Sequence, residues 1–329
     1  MYADILEQPS KKGLLISFDP YKGKFIIFSD QHKGARDAAD DFRHAEKNYL
    51  AALNYYWENG FRFINLGDCE ELWENKPATV IQHNEAVLKA EACFLQEDRY
   101  YRIYGNHDLE WKYDIQRNWF LKPLFGEKLK IYEGALLTTN YNNKSYSIFL
   151  AHGHQGDQKS DGNAFSTWFV AAIWTPIQRF LDISIDSIAD SFELVDKHNI
   201  IMYEWSVTQQ DLLFISGHTH KPVFASLDHI ERLTRQMEKA KQHNNKEGLQ
   251  SLAAELERRK MEYAGKQFHK TMVKPCYFNS GCCCFGDGDV TGIEIEGDNI
   301  RLIKWEEDKG VIRRIILEQS PLSYIFDKL

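Results

Sequence analysis

The chain has 329 residues, of which 43% are hydrophobic and 27% are charged, and its formal net charge is −8. This is globular composition, and it excludes a wholly disordered, collagen-like or low-complexity chain. The acidic balance argues against a protein that grips nucleic-acid backbones, because that task needs a basic surface. We therefore expect no nucleic-acid partner.

Neither the start of the chain nor its most apolar stretch has the pattern of a membrane-directed segment. The first residues lack a basic segment followed by an apolar one, and the stretch 164–185 is interrupted by Pro176, Arg179 and Asp182. A spanning helix needs about 18 or more apolar residues in succession. The six cysteines show no zinc-ribbon or redox spacing. We predict a cytoplasmic protein with reduced thiols.

Short apolar runs that end abruptly in polar clusters recur along the first two thirds of the chain. They predict buried strands at Lys24–Ser29, Phe61–Leu66, Tyr100–Tyr104, Tyr146–Ala151 and Leu212–Ser216. Helical periodicity separates the early runs, which indicates a layered α/β core. The last part of the chain is mostly β, with strands predicted at Cys276–Asn279, Gly292–Glu296, Ile300–Trp305 and Val311–Leu317.

Two segments interrupt this pattern. Residues 157–210 are rich in Phe, Trp and Ile and are predicted to form a helical lid. Residues 228–270 are highly charged and carry apolar residues at three- and four-residue spacing, which predicts a helical hairpin. The hairpin is either a solvated excursion packed on the body or an arm for a protein partner or self-association. We predict one domain, residues 1–329, with these two insertions.

Each of the first five predicted strands is followed by a cluster of polar residues. In chain order the clusters are Asp30-Gln31-His32, Gly67-Asp68, Gly105-Asn106-His107-Asp108, His152-Gly153-His154 and Gly217-His218-Thr219-His220. Ligands of layered α/β proteins collect beyond the carboxyl ends of strands, so the five loops are expected to converge on one edge. Oxygen and imidazole donors suit Mn, Fe or Zn, and these are numerous enough for two ions.

This ordered set of motifs resembles the calcineurin-like metallophosphoesterase superfamily. The turn Asn279-Ser280-Gly281 is similar to the one that follows the family's last motif. The resemblance implies a four-layer α/β/β/α metallophosphoesterase sandwich with a dinuclear site between the loops. One ion would be held by Asp30, His32 and His220, the other by Asn106, His152 and His218, with Asp68 bridging the two.

The implied reaction is hydrolysis of a phosphomonoester or phosphodiester with two divalent ions, Mn first, with Fe or Zn as alternatives. Two such ions lower the pKa of a shared water, so that hydroxide attacks phosphorus in line. By the resemblance, His107 is the general acid for the leaving oxygen, and Glu71 orients it, with the adjacent Glu70 as a competitor for that role. His154 is assigned either to a position behind the metal ligands or to a phosphate contact.

Two alternatives stay open. The run from Gly67 to Trp73 is similar to a motif of UDP-2,3-diacylglucosamine pyrophosphohydrolases, which also carry a helical lid between the corresponding motifs. That resemblance implies a nucleotide-lipid substrate and a membrane-surface contact through 164–185, although His107 and the His-Gly-His loop depart from it. The other alternative is a non-catalytic scaffold on the same fold. The run Cys282-Cys283-Cys284 is interpreted as packed residues and not as ligands.

Overall fold

The computed structural model describes residues 13–37, 40–154, 191–226 and 274–329, together with isolated helical positions between 234 and 256. In this part of the chain twelve strands form two sheets, and helices pack on both. The mixed α/β class expected from the sequence is therefore confirmed. None of the helices in the described ranges is long and apolar enough to cross a membrane.

Seven strands form the larger sheet. In spatial order they are β12 (Val311–Pro321), β11 (Asn299–Asp308), β10 (Val290–Glu296), β2 (Lys24–Phe28), β3 (Arg62–Leu66), β4 (Tyr100–Ile103) and β5 (Ile131–Tyr132). Strands β2 to β5 run parallel, so their carboxyl ends meet at one edge. Strands β10, β11 and β12 extend the sheet in antiparallel register, and β10 pairs with β2.

Five strands form the smaller sheet. In spatial order they are β1 (Gly13–Ser17), β6 (Gly134–Tyr141), β7 (Lys144–Ala151), β8 (Leu212–Ser216) and β9 (Tyr277–Asn279). Strands β7, β8 and β9 are parallel, whereas β6 and β7 form a hairpin. Asn142 and Asn143 connect the hairpin with φ values of 50° and 61°. Asparagine tolerates these left-handed angles, which the two-residue turns favoured in hairpins require.

Helices fill the connections. The described helices are α1 (Phe42–Glu58), α2 (Pro77–His83), α3 (Glu85–Gln96), a 3₁₀ turn (Leu109–Lys112), α4 (Asp114–Phe120), α5 (Lys122–Phe125), α6 (Ser191–Val207) and α7 (Leu322–Phe326). Helix α1 forms because Phe42, Ala45, Tyr49, Leu53 and Tyr56 recur at three- and four-residue steps and are all buried on one face.

Three apolar clusters arrange the sheets and helices. The first packs α1 and α3 on the larger sheet, with Tyr49, Leu88 and Phe63 among its members. The second joins the two sheets, through residues such as Ile27 and Leu213. The third packs α6 on the smaller sheet. Alternate residues of one strand enter different clusters, so the central strands are apolar on both faces and read as continuous runs in the sequence.

Every strand predicted from the sequence is present, with ends shifted by a few residues. Strands β1, β5 and β6 were not predicted. Strand β6 is apolar only in its first four residues and ends in polar ones, and β5 has two residues, so neither produces a recognisable run.

The two predicted insertions are described only in part. In the predicted lid, residues 191–207 are helical, whereas 155–190, including 164–185, lie outside the described residues. Isolated positions of the predicted hairpin are helical, and its pairing lies outside the described residues.

A buried ionic network supports the larger sheet from the side of α3. The carboxylate of Glu91 on α3 accepts hydrogen bonds from Lys33 Nζ at 2.7 Å, Tyr49 Oη at 3.1 Å and Tyr100 Oη at 3.0 Å. Lys33 and Glu91 are both fully buried. A buried charge is stable only when it is paired, so this pair fixes the chain just after β2 to the helix.

Glu91→Ala is expected to lower the free energy of unfolding by about 3 to 5 kcal/mol, because it leaves the Lys33 ammonium buried with less compensation. Glu85→Ala is the matched control on the same helix. Glu85 is exposed and pairs with Lys89 at 2.7 Å, so its removal should cost a small fraction of that loss. Urea unfolding followed by circular dichroism measures both; equal losses would contradict the role of the buried pair.

Candidate metal centre

Five loops meet at the carboxyl ends of β2, β3, β4, β7 and β8, as the sequence predicts. They carry all the predicted ligands and the predicted acid, which are Asp30, His32, Asp68, Asn106, His107, His152, His218 and His220. The loops are linked through their backbones: Asp30 N donates to Gly67 O and His32 N donates to Asp68 O, both at 3.0 Å. The loop after β8, in the smaller sheet, is linked to them by His218 N, which donates to Asp30 Oδ1 at 3.1 Å, so both sheets supply donors to the site.

One group of donors consists of Asp30, His32 and His220, each of which offers an atom within 4.8 Å of the others. His220 Nε2 lies 3.3 Å from Asp30 Oδ1 and 3.1 Å from His32 Nε2. Both oxygens of Asp30 also accept the backbone N–H of His218, at 3.1 and 3.0 Å. The carboxylate is thus fixed while its Oδ1 faces the two imidazoles.

A second group consists of Asp68, His152 and His218, again within 4.8 Å of one another. His152 Nδ1 lies 2.8 Å from Leu66 O, which leaves Nε2 to face Asp68 Oδ2 at 2.9 Å. A bond of this kind to the second ring nitrogen is what fixes the orientation of metal-binding histidines. Beside Asp68, Oδ1 of Asn106 is buried and has no hydrogen-bond partner in the described part of the chain.

Asp68 lies between the two groups. Its Oδ2 is 2.9 Å from His152 Nε2 and 3.7 Å from His32 Nε2, so it contacts one histidine of each group. Its Oδ1 accepts the backbone N–H of His107 at 2.9 Å. A carboxylate in this position can bridge two cations. The oxygen and imidazole donors, with the unpartnered Asn106 oxygen among them, fit two divalent ions of the Mn, Fe and Zn type.

The backbone of the site is strained. Five of the predicted ligands have left-handed φ angles between 48° and 69°, which are Asp30, His32, Asp68, His218 and His220. Such angles cost energy in residues other than glycine and persist only where the surrounding structure enforces them. Here the loop-to-loop hydrogen bonds enforce them, and the strain turns the side chains of neighbouring loops towards each other.

Two motif glycines are required by close approach. A Cβ on Gly105 would lie 2.0 Å from Asp68 Oδ1, and one on Gly217 would lie 2.5 Å from Asp30 Oδ2. Both distances are well inside van der Waals contact, so any side chain would displace the carboxylate. These contacts explain in physical terms why glycine begins the Gly-Asn-His and Gly-His-Thr-His clusters.

Glu71 contacts the predicted general acid. Its Oε2 lies 2.6 Å from His107 Nδ1 and 3.0 Å from His32 Nδ1. Burial acts to raise the pKa of Glu71, but the hydrogen bonds from His107 and His32 outweigh it and lower that pKa to about 2. Burial acts to lower the pKa of His107, but Glu71 and Asp68 raise it overall.

Trp73 also contacts His107. It stacks on the His107 ring, with centroids 3.8 Å apart, and its Nε1 donates to Asn106 O at 2.8 Å.

Glu70, the competitor for this contact, lies on the other side of the loop. It is fully buried and forms ion pairs with Arg102 and with Lys33, the latter at 3.3 Å. Asp108 accepts hydrogen bonds from Cys69 N at 3.0 Å and Gly105 N at 2.6 Å. Lys33 and Arg102 therefore hold the loops after β3 and β4 together on the side away from the metal-binding donors. Of the two glutamates, Glu71 is the one that contacts His107.

The charges of the two groups are balanced within the site. Burial acts to lower the pKa of His152, but Asp68 and Asp30 raise it to about 9. Burial acts to raise the pKa of Asp30, but His152 and His220 lower it overall. Without a cation, protonated histidines thus balance the carboxylates. Divalent ions binding here would displace those protons.

Two further histidines, His154 and His198, lie farther from the carboxylates. Burial, followed by repulsion from His152, lowers the pKa of His154 to about 3. Its ring is 5.5 Å from His152 and 6.5 Å from His218, and its Nδ1 has no hydrogen-bond partner among the described residues. His198 on α6 packs 5.0 Å from His218 and lies 2.7 Å from Gly153 O. Sequence reasoning missed His198, because it belongs to no motif and only the fold brings α6 to the site.

The three consecutive cysteines divide between the core and the site. Cys283 belongs to the apolar cluster under α1, as predicted. Cys282 and Cys284 instead lie with His220, and the three offer atoms within 4.8 Å of one another. Burial raises the pKa of Cys282, and contact with Cys282 together with burial raises that of Cys284. All three cysteines are buried, as the interpretation of the run as packed residues requires, and Cys282 and Cys284 additionally lie beside a predicted ligand.

No protein family and no curated protein matches the sequence. The fold was also compared with solved structures. Vacuolar Protein Sorting 29 from Cryptosporidium parvum covers 92% of this chain and 99% of its own, with 11% identity and a TM-score of 0.35. Wild-type Vps29 from Entamoeba histolytica, complexed with Zn²⁺, covers 90% and 99%, with 14% identity and a TM-score of 0.33. Scores this low assign no chemistry to the site.

In the cation-free protein, Glu71→Gln is expected to reduce the loss of thermal stability that occurs as the pH falls below 4.5. The pKa of Glu71 is lowered from 4.5 to about 2, so its contribution is fully present above pH 4.5 and is lost as the pH falls towards 2. Thermal unfolding in the presence of a chelator should show a deficit of the variant at pH 6 that closes below pH 4.5. Glu74→Gln, at an exposed site in the same segment, should show no such convergence.

Proposed function

We propose that this protein hydrolyses phosphate esters with the help of two divalent cations, Mn²⁺ first and Fe or Zn as alternatives. The observation that carries the proposal is the pair of donor groups that Asp68 connects, because it belongs to one group, contacts His32 of the other and lies beside the His107–Glu71 pair. One cation would be held by Asp30, His32 and His220, the other by Asn106, His152 and His218. Two ions held by these residues would neutralise phosphoryl oxygens and lower the pKa of a bound water.

His107 is the proposed general acid. With Nδ1 held by Glu71 at 2.6 Å, Nε2 is the atom left to give a proton to the leaving oxygen. Trp73 covers one face of the imidazole and is bonded to Asn106 O, so the plane of the ring is fixed relative to a predicted ligand. Glu71 also contacts His32, which fixes the acid relative to the first cation position as well.

The proposal includes the layer order α/β/β/α, which is supported by the three apolar clusters on and between the two sheets. We also assign His154 a position behind His152 and His218, because it is buried and neutral. The nucleotide-lipid alternative depends on 164–185, which lies outside the described residues. We therefore propose only the reaction class, phosphate-ester hydrolysis. The following test distinguishes this function from that of a non-catalytic scaffold.

Purified protein should hydrolyse an aryl phosphate or a bis-aryl phosphate when Mn²⁺ is added, and a chelator should abolish the reaction. Asp68→Asn should lose both the activity and the tight binding of two ions in elemental analysis, because it weakens the shared ligand. Asp98→Asn is the matched control, since Asp98 has the same left-handed backbone, with φ of 56° against 51°, but lies on the surface. A folded protein inactive with every cation would indicate a scaffold instead.

His107→Ala should retain both ions and lose rate mainly on esters with poor leaving groups. General acids contribute about 100-fold or more, and a good leaving group needs little of that help. Rates for a series of aryl and alkyl phosphates, at saturating cation, measure the difference. His83→Ala, at an exposed site on α2, serves as the control. Equal losses across the series would remove His107 from the acid role.

A further inference from the structure

A third group of donors adjoins the two groups that Asp68 connects. It consists of Cys282, Cys284 and His220, which offer atoms within 4.8 Å of one another. The two cysteines are 2% and 9% exposed, whereas the His220 side chain is 42% exposed. The thiols are thus protected, and a small ion can reach the group from the side of His220.

The backbone holds the two cysteines in place. Gly281, with φ of 76°, turns the chain after β9. Thr291 on β10 binds both backbone groups of Cys282: Cys282 N donates to Thr291 Oγ1 at 3.2 Å, and Thr291 N donates to Cys282 O at 3.0 Å. Cys283 N donates to Asp30 O at 3.1 Å. The chain bends at Cys283, whose side chain enters the apolar cluster under α1, whereas Cys282 and Cys284 lie with His220.

The donor chemistry differs from that of the two neighbouring groups. Thiolates with an imidazole select thiophilic ions such as Zn²⁺ and Cd²⁺, whereas carboxylates favour harder ions. Two sulfurs that share a zinc ion lie at most about 4.6 Å apart, twice the Zn–S bond of about 2.3 Å. Atoms already within 4.8 Å reach this with a small side-chain movement. We propose that Cys282, Cys284 and His220 form a further site, for a thiophilic divalent cation, which shares His220 with the group of Asp30 and His32.

A comparison within the molecule supports this choice. Cys69, Glu70 and Asp108 form another group with donor atoms within 4.8 Å. There the guanidinium of Arg102 already binds both carboxylates and supplies the positive charge. In the group with Cys282 and Cys284 the nitrogen donor is His220, which becomes a ligand itself once it is deprotonated.

His220 belongs both to this site and to the group with Asp30 and His32. An ion held by the two sulfurs would draw His220 away from the first position of the proposed dinuclear centre. Excess Zn²⁺ or Cd²⁺ should therefore weaken Mn²⁺-supported hydrolysis. This consequence rests on the proposed function, whereas the existence of the thiol site does not.

The test titrates chelator-treated protein with Cd²⁺ and follows the ultraviolet charge-transfer absorption of cadmium–thiolate bonds. The parent protein carries Cys93→Ser, which removes the exposed thiol. It should show an absorption that saturates at one Cd²⁺ per chain. Cys282→Ser and Cys284→Ser should each lose most of it, and the matched control Cys276→Ser, at a buried thiol bonded to Ser206, should keep it.

Asp68→Asn should also keep the cadmium absorption, because Asp68 is not part of the thiol site. This result separates the two proposals. If the parent protein shows the cadmium absorption but hydrolyses no phosphate ester, the thiol site is supported and the hydrolase function is contradicted. Absence of the absorption in the parent would overturn the site, as would full absorption in the Cys282→Ser, Cys284→Ser double variant. Circular dichroism shows which variants are folded. If the double variant does not fold, the folded single variants still test whether the cysteines bind Cd²⁺.

Discussion

The buried carboxylate of Asp68 is the group on which the site depends. It is 1% exposed, and each of its oxygens has a defined neighbour: the His107 backbone on one side and the His152 and His32 rings on the other. A buried charge is stable only when it is compensated. The loops after β2, β3, β4 and β7 must therefore close around this one group.

Further buried charges are paired beneath the loops of the site. Lys33, Glu70, Glu91 and Arg102 are fully buried and paired, and they connect the segments after β2 and β3 to α3 and β4. Hydrogen bonds from Cys69 and Gly105 to Asp108 complete the connection between the loops. This rigid support allows left-handed backbone at Asp30 and Asp68, where the chain would otherwise relax. The candidate site is thus built on a buried ionic base.

Sequence reasoning succeeded where a single local signal was strong. Both faces of the central strands are buried, so those strands are continuous apolar runs, and the polar loops that follow them are easy to recognise. It failed where the signal is weak or distant. Strand β5 has two residues, and His198 reaches His218 only because α6 packs on the smaller sheet. The choice between Glu70 and Glu71 also needed the fold, since adjacent side chains differ only in direction.

The order of the strands and polar loops and the types of donor side chains can be predicted from the sequence, because burial and turn chemistry leave local signals in the chain. The packing of the two sheets is needed to identify which donors lie close together. It joined Asp68 to His152 and His32, turned Glu71 to His107, and brought Cys282 and Cys284 to His220 while Cys283 entered the core. The reason is that contacts between distant residues follow from the packing of two sheets, which no local pattern records.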